Sequence, residues 1–116
     1  MTREKRFRKH VIAAAAAYKN LLDSHCANGY TVDEVSASYR ISRNTLQFSF
    51  RELYGMGIRD YKLKVRMEFS RELLVAGKDV KEVALTLQYT KARAFSHAFK
   101  KYYGMNPTVF VHLLAY

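Results

Sequence analysis

The chain has one cysteine, one proline, no tryptophan and five glycines in 116 residues. A lone Cys26 excludes an internal disulfide. Nothing beside it in the sequence marks a reactive thiol, so it reads as a surface or core side chain of a helix. Glycine and proline this sparse leave long stretches uninterrupted. Nowhere do apolar and polar residues alternate long enough to predict a strand. Long hydrophobic runs are missing too. The stretch "VIAAAAA" at 11–17 is too short to cross a bilayer, and it leads into Tyr18-Lys19-Asn20 rather than a small-residue cleavage site. A cytosolic location is therefore expected. The four histidines (His10, His25, His97, His112) lack metal-ligand spacing, and no Gly-rich phosphate loop or Ser/His/Asp set is recognisable. Neither a cofactor, nor a metal, nor enzymatic activity is expected.

Acidic residues are also scarce. Ten Asp and Glu against twenty Lys and Arg leave a net charge of +10 at pH 7. An excess of this size points to a polyanionic partner, nucleic acid before an anionic membrane. The basic residues are spread over several segments rather than along one amphipathic face, which disfavours the membrane. Five of them crowd into "TREKRFRKH" at 2–10. That run reads either as an arm on phosphate or in a minor groove, or as a solvated helix start or the tail of an interdomain linker. Lys62, Lys64 and Arg66 are further candidates for neutralising phosphate.

What the chain does contain is helical periodicity, and a phrase used twice. "SRNTLQFSFRELYGM" at 42–56 and "KARAFSHAFKKYYGM" at 91–105 share a large apolar fifth residue (Leu46, Phe95) and a Phe four places on (Phe50, Phe99). Each then has a base (Arg51, Lys100), a Tyr (Tyr54, Tyr103) and Gly-Met. The offset is 49. Upstream it is 48: Val32 matches Val80, Glu34 matches Glu82, Val35 matches Val83 and Ile41 matches Tyr89. One residue is therefore inserted before the second long helix. Two copies of this period are too few for a solenoid. Two helix–turn–helix units joined by a rod account for them.

A first helix is expected from about Glu4 to Cys26, with Phe7, Val11, Ala14, Ala15, Tyr18, Leu21, Leu22 and His25 on its apolar stripe. Thr31 reads as the N-cap of a short helix, with Glu34 completing a capping box and Val32, Val35 and Tyr39 inward. After a turn at Arg40-Ile41, Ser42 caps a helix burying Leu46, Phe50 and Leu53. From Ile58 to Ala76 apolar residues occupy several faces: Ile58, Tyr61, Val65 and Phe69 on one, Leu63, Met67, Leu74 and Val75 elsewhere. Such a helix is buried from more than one direction. Asp79 then caps a helix with Val80, Val83, Ala84 and Leu87 inward. Thr90 caps a helix burying Phe95, Phe99, Tyr102 and Tyr103, and Asn106-Pro107 opens a last helix. Gly29, Gly55, Gly77 and Gly104 sit where helices stop. The class is all-α, with subdomain one at about 4–56, a linker helix at about 58–76 and subdomain two at about 79–114.

In a helix–turn–helix the second helix lays its N-terminal half in the major groove. Its outer face must then reach base edges. In the first unit that face carries Arg43, Asn44, Gln47, Phe48 and Arg51; in the second, Lys91, Ala92, Arg93, His97 and Lys100. Asn44 and Gln47 suit adenine, Arg93 guanine, Arg43 guanine or a phosphate, and Phe48 either a thymine methyl or hydrophobic packing. Base contact is thus expected of Arg43, Asn44, Gln47, Phe48, Lys91, Arg93 and His97, and phosphate contact of Ser42, Arg51, Thr90 and Lys100. The alternative for each is an ordinary solvated helix position.

The two copies resemble the DNA-binding domain of the AraC/XylS family of bacterial transcription regulators, from about Tyr18 to Phe110. "DVKEVALTLQYTKARAFSHAFKKYYGMNP" is similar to that family's I-x-E-I-A, G-F, F-S-R-x-F-K and F-G-x-x-P pattern. Val80, Glu82, Val83, Ala84, Tyr89, Phe95, Ser96, Phe99, Lys100, Gly104 and Pro107 stand in its places. "YKLKVRMEFSRELL" resembles the family's linker helix at Tyr61, Arg66, Glu68, Arg71, Glu72, Leu73 and Leu74. The chain departs from the family at Arg40 and Gln88, where glycine is usual, and at Phe48 and His97, where arginine is usual. The resemblance implies seven helices in two homeodomain-like subdomains bridged by a rigid helix. It also implies monomeric binding to two successive major-groove segments of double-stranded DNA, with RNA polymerase as a further partner. A protein-interaction module reusing the same helices is the competing reading. The basic, linker-like start suits the C-terminal piece of a longer protein better than a complete regulator.

Overall fold

The computed structural model describes residues 7–24 and 31–114. Seven helices follow in order: α1 (Lys9–Asp23), α2 (Val32–Ser38), α3 (Arg43–Tyr54), α4 (Ile58–Val75), α5 (Val80–Thr86), α6 (Ala92–Tyr103) and α7 (Pro107–Leu114). No strand occurs among the described residues. The expected Cys26 and His25 positions and the Gly29 stop lie outside them, as does the expected helix start at Glu4. The chain divides into two compact units, one ending at Val65 and the other beginning at Arg66, so the boundary falls inside α4.

In the first unit α1, α2 and α3 enclose Ala14, Ala15, Tyr18, Leu22, Val35, Leu46 and Phe50, joined by Ile58, Tyr61 and Val65 of α4. Tyr18, Tyr54 and Tyr61 all meet the Phe50 ring edge to face, at centroid distances of 6.4, 5.0 and 5.5 Å. In the second unit Met67 and Leu74 of α4 pack with Val83, Ala84, Leu87, Phe95 and Phe99. Tyr103 and Phe110 close on Phe99 at 4.7 and 5.7 Å. The several apolar faces of α4 follow from this. Its first half serves one core and its second half the other. Leu63 and Val75, expected to be buried, are exposed, since neither half-helix turns them toward its core. Tyr102 is exposed as well: Tyr103 lies nearer the Phe99 face, and Tyr102 stacks edge-on against it at 4.8 Å.

The repeat is visible bond by bond. The Glu34 amide donates to Thr31 Oγ1 at 3.1 Å, and the Glu82 amide to Asp79 Oδ1 at 2.8 Å. The turn after α2 closes with Ile41 N–H to the Ser36 carbonyl at 3.0 Å, and the turn after α5 with Tyr89 N–H to the Ala84 carbonyl at 2.9 Å. At the pivot of each turn the backbone is left-handed, with φ 56° at Arg40 and 62° at Gln88. A side chain with a Cβ is disfavoured there, and glycine is not. Both long helices then end in a left-handed glycine, Gly55 at φ 80° and Gly104 at φ 82°.

Two expectations change at helix starts. Arg8 is extended (φ −67°, ψ 154°) and α1 begins at Lys9, so Phe7 lies ahead of the helix and not on its stripe. Thr90 does not cap α6. Lys91 occupies the N-cap, without a side-chain bond. The inserted residue explains the shift, because beyond it the offset is 49 and Ser42 corresponds to Lys91.

A polar cluster ties the end of α1 to α4. Tyr61 donates its hydroxyl hydrogen bond to Asp23 Oδ1, while Lys19 Nζ lies 2.8 Å from Asp23 Oδ2. Burial pushes the Asp23 carboxyl up, but the bonds from Lys19 and Tyr61 outweigh it and hold its pKa below the ordinary value. Burial, and then the bond to Asp23, raise that of the Tyr61 phenol. Tyr18 differs: its buried hydroxyl has no hydrogen-bond partner among the described residues.

The same substitution should therefore act in opposite directions at the two tyrosines. In chemical denaturation Tyr18→Phe is expected to gain about 1 kcal/mol, by removing an unsatisfied buried group, and Tyr61→Phe to lose about as much. A carboxyl depressed in the folded state contributes stability above the ordinary carboxylate pKa of about 3.9 and loses it as pH falls further. Tyr61→Phe should flatten that acid limb. At the exposed turn, Gln88→Gly should gain about 0.5–1 kcal/mol and Gln88→Val should lose about 1–2, as read by thermal midpoints.

Candidate nucleic-acid interface

Helical geometry divides α3 and α6 into two faces. Leu46 and Phe50, like Phe95 and Phe99, are wholly buried four residues apart. The opposite side of each helix must then face out. Arg43, Asn44, Gln47, Phe48 and Arg51 are exposed on α3; Arg93, His97 and Lys100 are exposed on α6, with Lys91 and Thr90 exposed just before it. Ala92 is half-buried against the second core. With the 49-residue offset, Asn44 corresponds to Arg93, Phe48 to His97 and Arg51 to Lys100. Each unit thus sets three or four hydrogen-bonding or cationic side chains along one exposed helical face.

The local chemistry of the two faces differs. Ser42 Oγ accepts the Thr45 amide at 3.0 Å and lies 2.8 Å from Thr45 Oγ1, so this hydroxyl is engaged in its own helix start. At α6 no side chain caps the first turn, because Lys91 has no acceptor atom. On α3, Arg43 reaches back to Asp33 of α2, Nη1 lying 3.5 Å from both carboxylate oxygens. Nothing in the sequence signalled this pair, since ten residues and a turn separate the partners. Phe48 is 50% exposed, and its ring stands 6.0 Å from Phe7 at 69°.

The basic residues of α4 are turned to structural use. Arg66 donates to the Leu87 carbonyl at 2.6 Å and lies 4.6 Å over the Tyr89 ring, pinning the α5–α6 turn. Lys62 lies over Tyr18 at 5.6 Å and Lys64 over Tyr61 at 5.7 Å. All three are half-buried. Lys101, which the sequence reading passed over, is exposed beside Lys100 and adds charge to the last turn of α6.

The helix-turn-helix domain family matches residues 35–112. The Msm operon regulatory protein of Streptococcus mutans is 31% identical over 93 residues, covering 79% of this chain and 34% of that protein. An AraC-like transcription regulator of Streptomyces antibioticus is 32% identical over 98 residues, covering 84% of this chain and 31% of that protein. The chain thus spans about a third of the length of both. Among solved structures, the DNA-binding domain of AdpA in complex with a target DNA superposes with a TM-score of 0.74. It covers 85% of this chain and 90% of that domain, and at 22% identity the likeness bears on the fold. No helix among the described residues is long and apolar enough to cross a membrane. Seven helices, a duplicated turn and a family match running through both copies lead to one conclusion: the chain belongs to the AraC-type helix-turn-helix family.

Proposed function

We propose that the chain binds double-stranded DNA sequence-specifically, with α3 and α6 entering successive major grooves, and so regulates bacterial transcription from the cytoplasm. The observation that carries this reading is the paired outer face. Two helices whose inner sides are locked by buried Phe50 and Phe99 both hold polar, exposed side chains at equivalent positions. Arg93 has the two-pronged geometry for guanine, Asn44 and Gln47 for adenine, and Lys91 and His97 flank Arg93 on α6. Arg43 joins them when it leaves Asp33, an exposed pair that contributes little to stability. Arg51 and Lys100 serve phosphate. So do the uncapped first turn of α6, with Thr90 before it, and Ser42 at the start of α3.

The partners belong to the same reading. Grooves one turn apart are about 34 Å from centre to centre. A continuous α4 of 18 residues supports its role as the spacer between recognition helices. One chain then carries both reading heads and binds as a monomer. RNA polymerase is the second partner in this reading, in keeping with a role in transcription regulation. The exposed side chains of α3 and α6 suit recognition, and none forms a catalytic set.

Titration of duplex DNA against salt tests this. Several phosphate contacts predict a steep linear fall of log affinity with log salt, above which one promoter sequence keeps an advantage. Arg93→Ala should cost about 1–3 kcal/mol on the preferred sequence and relax the preference there. Lys100→Ala should weaken all sequences alike and lower the salt slope by about 1. If neither variant changes affinity for any duplex, the groove assignment fails.

A further inference from the structure

An aromatic ring in the middle of a polar recognition face needs a reason. Phe48 lies one turn after Asn44 and one turn before Arg51 on α3, and the equivalent place on α6 holds His97. Its ring is met edge-on by Phe7, which is half-buried and precedes α1. The contact fixes the chain immediately before α1 beside the outward face of α3. Arg8 and Lys9, both exposed, follow Phe7 directly.

These two cations are badly placed for stability. Arg8 is the N-cap of α1 with no capping bond, Lys9 is its first residue, and no acidic residue occurs in the first turn. Positive charge at a helix N-terminus opposes the helix dipole. The neighbouring face of α3 has the opposite shortage. Over its first two turns Asn44 and Gln47 are neutral, Phe48 is apolar and Arg43 is paired with Asp33, and the remaining cation, Arg51, lies in the last turn. Charge that does not suit α1 thus directly follows a residue held against the sparsely charged first two turns of α3.

We propose that Arg8 and Lys9 form a third DNA-contacting element, held beside α3 by the Phe7–Phe48 ring pair, that grips phosphate next to the first two turns of α3, where the one cation, Arg43, is paired with Asp33. This rests on the DNA-binding reading above and adds a site to it. The ring pair is the positioning device, and the two cations are the contacts.

The test uses mixed-sequence duplex DNA long enough for two successive major grooves, titrated over a range of salt concentrations. Arg8→Ala combined with Lys9→Ala should lower affinity at low salt about tenfold or more, equally on all sequences, and reduce the log–log salt slope by about 2. Thermal stability should stay level or rise, because the removed charges oppose the dipole; a merely structural role would lower it. Phe7→Ala keeps both charges but frees the segment, and should reduce the slope by about 1. If the double variant leaves slope and affinity unchanged while Lys100→Ala weakens binding, this inference falls and the DNA-binding reading stands. Tighter binding by Phe7→Ala would also overturn it, since the ring pair would then be covering the face rather than anchoring a contact. If the unaltered chain binds no duplex at all, the underlying reading fails first.

Discussion

Burial of one stripe on each long helix is the constraint from which the rest follows. Leu46 and Phe50 on α3, and Phe95 and Phe99 on α6, have no exposed surface. Each large apolar side chain so buried contributes about 1.5–3 kcal/mol relative to leaving it in water. An α-helix has no freedom to rotate once such a stripe is seated. Arg43, Asn44, Gln47 and Arg51 then have nowhere to go but outward, as do Arg93, His97 and Lys100. The recognition face is a by-product of the core.

The turns transmit that constraint. Arg40 and Gln88 adopt the left-handed backbone that brings each short helix across the long one, with a side chain where glycine would fit more easily. Hydrogen bonds from Ile41 and Tyr89 back to α2 and α5 lock both turns. In the second unit Arg66 adds a further hold by donating to the Leu87 carbonyl within the turn. A cation that a charge count assigns to nucleic acid is in fact a structural strut. Charge at the level of composition overstates what is free to bind.

The two copies have also diverged where the chemistry would differ. The first unit's outer face is mostly neutral and amide-bearing, with a ring at Phe48; the second is mostly cationic. An amide face and a guanidinium face suit different base pairs, so in the proposed complex the two helices would read different sequences. Shared inner residues and unlike outer residues are what a common scaffold with separate targets requires.

The class, the duplication and most of the inward set were legible in the letters, because burial imposes a 3.6-residue period; Leu63, Val75 and Tyr102 are exceptions. Legible too were the caps at Thr31, Ser42, Asp79 and Asn106, where a short polar side chain accepts from the amide three residues on. Thr90 was misleading, since a good capping residue fell on the wrong side of a one-residue insertion. Which outward groups are engaged emerged only on folding: Arg43 with Asp33, Phe48 with Phe7, Lys62 over the Tyr18 ring. Those contacts join residues from different elements, at separations with no period. Periodicity records which way a side chain faces within its own helix, and folding alone decides what it meets there.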